Sequence, residues 1–357
     1  ERDAMYQKLR RRVTGTQVAM WIIGFIILGV VVYGAVSTLV AATYPPRIWL
    51  DLIVFGLAQG SVYALIALGY TMVYGILRMI NFAHGEVFMA GAFIGYFIAT
   101  ALQRSGLLER YFIPAQLLVF AGAMVTSATI AVLLERIAYR PLRRAPRLVP
   151  LITAIGASFF LQYTFRGFFG SGIKSYPEPE QLQGTITILG ITILKTQALV
   201  IVAAVIMLIA LYIFVQRTKT GRAMQAVSED KDAAALMGID VDRIIVITFI
   251  IGGALAGAAG VLFSTLFRQV FFLTGFIPGL KAFTAAVLGG IGNVAGAMVG
   301  GLFLGIAESL FPNLVLDGLG IPAPYQLKDA LAFLLLVLVL IFRPTGILGE
   351  RLATKKA

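Results

Sequence analysis

Long apolar runs without a charged side chain alternate with short charged segments along the whole chain. Seven of them, 18–42, 52–77, 87–103, 111–134, 148–165, 196–216 and 244–267, are 17 to 26 residues long. A helix needs about 20 apolar residues to cross the hydrocarbon core of a bilayer, so each run predicts a membrane span. A further apolar region, 269–307, is broken only by Lys281, and a last one, 330–342, extends back to Tyr325. The first run follows a basic segment and is too long for the core of a signal peptide, so it reads as a retained anchor.

Two polar or glycine-rich breaks interrupt this pattern. One is Asn81-Phe82-Ala83-His84-Gly85-Glu86, between the second and third runs, and the other is Gly289-Gly290-Ile291-Gly292-Asn293. Non-helical backbone at membrane depth survives only where protein or a water-filled cavity satisfies it, and paired broken helices are a common way to build a transport site. The segment 170–195 differs again. Tyr176-Pro177-Glu178-Pro179-Glu180 and the alternation through Thr185–Ile188 and Ile191–Ile193 predict a small hairpin.

Composition fixes the class. A chain that is 59% hydrophobic and 13% charged, with a mean hydropathy of +0.91, lacks the polar surface to cover a soluble globule. Its 38 glycines suit a membrane bundle in which helices approach closely. The pairs Gly91/Gly95, Gly253/Gly257, Gly296/Gly300 and Gly301/Gly305 predict such crossings.

A net charge of +12 invites a nucleic-acid reading, but the basic residues are sorted by side. About 20 fall on one face of the membrane and about 9 on the other. The rich face holds Lys8, Arg10, Arg11 and Arg12, the loop 136–147, the segment 217–243, and Arg343, Arg351, Lys355 and Lys356. That is the positive-inside pattern, and it places both termini in the cytoplasm. Two ends on one side require an even number of crossings. Ten satisfy this: the seven runs, a short entry from Pro278 to about Leu288, a helix from Val294 to Glu308, and a last one from about Tyr325 to Phe342.

The expected fold is therefore an all-α integral membrane protein, a polytopic bundle of nine or ten transmembrane segments with broken or short helices and a small external hairpin. It divides into a basic N-terminus (1–17), one transmembrane domain (18–343) and a cytoplasmic tail (344–357). The external loop is 170–195 and the main cytoplasmic segment 217–243.

Several chemistries find no support. No G-x-x-x-x-G-K-[ST] occurs, so the chain holds no ATP-binding P-loop. The single histidine, His84, cannot build a multi-histidine metal site, and zero cysteines exclude thiolate sites and disulfides. The glycines around 290–292 superficially resemble a dinucleotide fingerprint but lie in an apolar membrane segment rather than after a strand. No acidic–histidine relay runs through the spans, against proton pumping.

Asp51, Glu86, Glu135, Lys281, Glu308 and Lys328 sit at span boundaries, where capping or snorkelling accounts for most of them. Glu86 has two readings: a carboxylate favoured at a helix N-terminus, or a wall of a translocation path. Asn81 and His84 divide in the same way. Tyr74, Gly289, Gly290, Gly292 and Asn293 join them as candidate path residues. Ser61, Tyr63, Tyr70 and Thr71 have interhelical hydrogen bonding as their more ordinary use.

The segment 217–243 carries the sharpest signal. It is hydrophilic, patterned as helix, and placed between two spans. Residues 222–227 predict a first turn or two, Ser228 an N-cap with Glu229 and Asp230 in the turn that follows, and Gly238 the C′ residue that closes the helix. A transporter moving solute through itself has little need of such a helix. One driven by a separate cytoplasmic engine does.

At this point the residues resemble a known family. Gly69-Tyr70-Thr71-Met72-Val73-Tyr74-Gly75-Ile76 followed by Met79-Ile80-Asn81-Phe82-Ala83-His84-Gly85-Glu86 is similar to the LivH-type permease subunit of high-affinity branched-chain amino acid ABC importers. The stretches 222–227, 238–240 and 285–293 resemble it as well, so the likeness spans about residues 50–349. Asp232-Ala233-Ala234 and Gly238 match the spacing of the importers' E-A-A-x-x-x-G coupling signature, with aspartate for glutamate and without the following Leu-Pro. The extra first span also departs from the family's usual start.

The resemblance implies Arg222, Glu229, Asp232, Ala233, Ala234 and Gly238 as an interface to two cytoplasmic ATPase subunits, which would hold the ATP and magnesium; this chain would carry no cofactor and be no enzyme. It further implies a LivM-type homologous second permease, a periplasmic binding protein delivering leucine, isoleucine or valine, and a site in the bacterial inner membrane. Urea or short amides are an alternative cargo, and an ion-coupled secondary transporter or a passive channel an alternative class.

Overall fold

The computed structural model describes residues 15–349, apart from 144, 147, 189–190, 323 and 344. The basic residues at 8–12 and 351–356 lie outside the described residues.

Nine described helices are long and apolar enough to span a bilayer, and a tenth is shorter. They are α1 (Gly15–Val40), α2 (Pro46–Leu77), α3 (His84–Arg104), α4 (Phe112–Leu133), α5 (Leu148–Phe169), α6 (Lys195–Arg217), α9 (Val241–Phe267), α10 (Phe276–Gly289), α11 (Val294–Phe311) and α12 (Lys328–Phe342). The chain is thus an all-α polytopic membrane bundle. The short helices α7 (Lys219–Glu229) and α8 (Lys231–Leu236) form the insert between α6 and α9. On the opposite face, β2 (Thr185–Ile188) pairs with β3 (Ile191–Leu194) as the expected antiparallel hairpin. A second pair, β1 (Lys174–Ser175) with β4 (Gln269–Val270), ties that face to the end of α9 and had no signal in the sequence.

The core is formed by α2, α3, α9, α10 and α11, whose facing residues are largely buried. Close backbone contact holds it. A Cβ added at Gly301 would lie 2.5 Å from the Ala64 Cα, and one at Gly60 would lie 2.9 Å from the Gly301 carbonyl oxygen. Gly91 abuts Gly257, and Gly253 lies against Ala128 and Ala131. The expected small-residue crossings are therefore all present. Lipid tails are as apolar as leucine, so this contact at helix crossings supplies the attraction that a water-driven core would otherwise provide.

Helix lengths break the regularity where the sequence is broken. α2, with 32 residues, is about 48 Å long and exceeds the bilayer core, whereas α10, with 14, reaches only about 21 Å. α11 continues through a wide turn at Pro312–Leu316, and α12 follows a single tight turn at Pro324–Leu327.

Most of the boundary charges are not snorkelling. Glu86, Glu135, Lys281 and Glu308 are all buried. Lys281 of α10 donates to Glu308 of α11 and, at 2.6 Å, to Asp329 of α12, with its ammonium 5.8 Å from the Tyr63 ring centre. Glu135 pairs with Arg143, which also reaches Asp242. An isolated charge in such surroundings is prohibitive, so a partner brought in by the fold decides the outcome. Asp51 remains exposed, and Lys328 lies 4.7 Å over the Tyr325 ring.

Candidate functional site

The first break places a helix start inside the bundle. Leu77 ends α2, Arg78 takes a left-handed conformation (φ 55°), and the chain returns through residues 79–83 to begin α3 at His84. His84 packs against Gly69, eight residues before the end of α2, so α3 begins roughly 12 Å inside that end. Its ring meets Tyr70 edge-on at 4.9 Å, and glycine at 69 leaves it the space.

Glu86, in the first turn of α3, accepts from Ser158 Oγ (3.1 Å) and Gln162 Nε2 (2.7 Å) of α5. Its other oxygen points toward Gly275 at the start of α10. Gly85 touches Gly275 and Gly279, so two helix starts, α3 and α10, meet within the bundle around one carboxylate. Both dipoles present their positive ends there, which favours a negative group. Asn81 accepts from Tyr139 Oη at 2.6 Å, fixing the loop between α2 and α3. Glu86 therefore lies at the junction of two helix starts, bonded to α5 through Ser158 and Gln162.

The second break is a turn between α10 and α11. Gly290 (φ 108°) and Gly292 (φ 98°) adopt a conformation that side chains oppose. Asn293 caps α11, accepting from the Gly296 amide (3.0 Å), and donates to the Leu348 carbonyl (2.9 Å). The amides of Ile347 and Leu348 donate to the carbonyls of Leu288 and Gly289. The segment after α12, read as a cytoplasmic tail, is fastened across this turn through Ile347 and Leu348. Asn293→Ala removes both side-chain links. Losing the cap alone costs roughly 0.5–2 kcal/mol, so hydrogen exchange at Ile347 and Leu348 should accelerate while the spans stay protected.

A cavity of about 500 Å³ lies between this turn and the insert. Gly292 and Asn293 line it, together with Thr71 of α2, Arg78 of the first break, Tyr212 of α6 and Glu229 of α7. Asn81, His84 and Glu86 lie elsewhere, buried among helices, and Tyr74 is half-buried beside the first break. The candidate path residues are therefore not brought together: Asn81, His84 and Glu86 are buried around the start of α3, Gly292 and Asn293 line the cavity, and Tyr74, Gly289 and Gly290 do neither. Thr71 and Glu229, read from sequence in other roles, line the cavity with Gly292 and Asn293.

The insert is built by three caps. Thr218 accepts from the Gly221 amide (3.0 Å) at the start of α7, and a side chain at Gly221 would strike the backbone of Phe214 and Val215. Asp230 accepts from the amides of Asp232 and Ala233 (2.9 and 3.0 Å) and starts α8. Asp240 accepts from Arg243 (3.0 Å) and starts α9. Ser228 is not a cap: it lies within α7 and donates to the Gln225 carbonyl, so Glu229 and Asp230 end one helix rather than open another. Asp230 wins because its backbone is extended (φ −150°) and α7 already runs through Ser228.

At the far end, Ile239 bonds back to Ala234 and Gly238 to Ala235, with Gly238 at φ 83°. This is the Schellman arrangement, and Gly238 is its left-handed residue. Ala234 is buried and seats α8 on the bundle, while Arg222, Glu229, Asp232, Ala233 and Gly238 are exposed. The largest apolar groups on this surface, which the sequence reading passed over, are Leu236 and Met237, 89% and 83% exposed. Arg78 donates to the Ser228 carbonyl at 2.8 Å, so the insert is tied directly to the first break. Desolvation, with Arg143 and Arg78 nearby, holds the Lys231 ammonium below the usual lysine range. Among the described residues no three His, Cys, Asp or Glu converge as metal ligands.

Interrupted helices around a buried centre, tied to a capped surface insert, define a membrane permease. The chain belongs to the family described as branched-chain amino acid transport system / permease component, which matches residues 52–340. It is similar to the Pseudomonas aeruginosa high-affinity branched-chain amino acid transport system permease protein BraD, 45% identical over 306 residues, covering 85% of this chain and 96% of that one. It is 43% identical over 298 residues to the corresponding permease protein LivH of Escherichia coli K12, covering 83% and 94%. The autoinducer 2 import system permease protein LsrC of Shigella flexneri is more distant, 30% identical over 206 residues and 56% of each chain. Helix α1 precedes the segment that the family model matches.

Proposed function

We propose that this chain is the translocating permease of an ATP-driven importer for branched-chain amino acids. The observation that carries the reading, beyond the family, is the insert: Leu236 and Met237 stand nearly fully exposed beside a Schellman turn. Large apolar side chains on a polar, non-spanning segment suit a groove on a soluble partner, here a pair of ATPase subunits. The basic side of the chain, which includes the insert, is the cytoplasmic one, and the β2–β3 hairpin then faces the binding protein across the bacterial inner membrane.

The geometry suggests how force would travel. α7 is joined to the first break through Arg78 and Ser228, and it lines a cavity together with the turn of the second. A rigid displacement of the insert would therefore act where α2 ends and α3 and α11 begin, the places in the bundle with the least regular backbone. A hydrophobic amino acid needs a few polar contacts and apolar walls, which a helical bundle supplies.

The test is uptake of radiolabelled leucine into proteoliposomes holding this chain, its companion permease and ATPases. Uptake is expected only when ATP and the binding protein are both added. Leucine entry driven by an ion gradient without ATP would overturn the class. Urea- or amide-stimulated ATPase without leucine uptake would change the cargo alone.

A further inference from the structure

Helix α1 and the end of α12 lie outside the segment that defines the family, and they enclose a pocket of their own. Met20, Trp21, Gly24, Phe25 and Leu28 face Phe342 around a cavity of about 480 Å³, within the size range of small-molecule sites. The space arises from how α1 is seated. Gly34, in its second half, lies against Val315, Leu319 and Gly318, so the backbones are in contact there. Gly24, in its first half, meets only the Phe342 ring at 3.6 Å, and Gly29 meets nothing within 4 Å. The helix is pinned at one end and stands off at the other.

All six lining residues are apolar or glycine, so water has no polar partners to hold it in the cleft. In a bilayer, hydrocarbon takes that place. Charge then selects the headgroup. Arg343, exposed, directly follows Phe342, and the sequence immediately before α1 carries Lys8, Arg10, Arg11 and Arg12. No acidic residue occurs from position 4 to position 50. Met20 is five residues from the start of α1, about 7.5 Å, and the lining continues for about 12 Å to Leu28. Arg343 thus stands at the mouth of an apolar cleft running into the membrane. Clustered Lys and Arg beside a membrane helix attract anionic lipid.

The geometry points to a seat for an acyl chain of an anionic phospholipid, with its phosphate at the Arg343 end of the cleft between α1 and α12. This site is independent of the transported solute.

The full chain, reconstituted in nanodiscs of equal phosphatidylglycerol and phosphatidylcholine with matched acyl chains, is released into native mass spectrometry and its retained lipid identified. Retention of one phosphatidylglycerol, favoured on the order of tenfold over phosphatidylcholine, is expected. Gly24→Leu fills the cleft and should abolish retention of either lipid. Arg343→Gln, on the exposed surface and harmless to folding, should reduce the preference severalfold while leaving an acyl chain bound. Equal retention of both lipids by the parent chain would overturn the proposal. So would unchanged retention in Gly24→Leu, including the case in which that variant only separates α1 from a neighbouring protein's helix.

Discussion

Lys281→Met should be the most destabilising single change in the bundle. It leaves Glu308 buried without the ammonium it pairs with, near Asp329, itself acidic, on the third helix. Removing one partner of a buried pair typically costs 3–5 kcal/mol, because the remaining charge is stranded. The expected readout is a correspondingly lower midpoint of denaturant-induced unfolding in detergent. The double variant Lys281→Met/Glu308→Leu should recover most of the loss, since apolar replacement of a buried pair is often neutral or better. A single variant as stable as the parent would show that Lys281 does not hold α10, α11 and α12 together.

The second large effect concerns transport rather than stability. Leu236→Asp/Met237→Asp changes two side chains that touch almost nothing in the chain itself, so insertion and folding should be normal. If the ATPases grip this tip, losing two central apolar contacts at about 2 kcal/mol or more each should lower binding-protein-dependent uptake by well over tenfold. Gly238→Pro should act alike through geometry: proline fixes φ near −65°, whereas the turn holds this residue at φ 83°. Gly238→Ala separates the two causes. It keeps the surface, bears only the left-handed penalty of about 1–2 kcal/mol, and should retain part of the uptake. Normal uptake by Leu236→Asp/Met237→Asp would falsify docking at this tip.

What could be read in advance follows the range of each interaction. Spans are local facts about runs of side chains, and 18–42 through 244–267 all became helices, as did the short entry near Pro278. The glycine pairs and the left-handed turn at Gly238 are equally local. Partners are not. Lys281 and Glu308 lie 27 residues apart, and Glu86 finds Ser158 and Gln162 at separations of 72 and 76. Nothing in the neighbourhood of Glu86 distinguishes it from a residue waiting for solute. The reading of Ser228 as the cap failed for a finer reason: Asp230 is as good a cap, and only how far α7 propagates decides which is used. The β1–β4 pair is two residues long and backbone-made, so no side-chain pattern announces it.

The fastening of residues 345–349 across the turn at Gly290 bears on the order of assembly. The amides of Ile347 and Leu348 complete carbonyls at Leu288 and Gly289, almost sixty positions earlier in the chain. Synthesis proceeds from the N-terminus, so α10 and α11 leave the ribosome long before the groups that close their connection exist. Until then those carbonyls must be satisfied by water or by the insertion machinery. The turn becomes a finished element only when translation has passed the last span, which makes this corner among the latest parts of the protein to reach its native state.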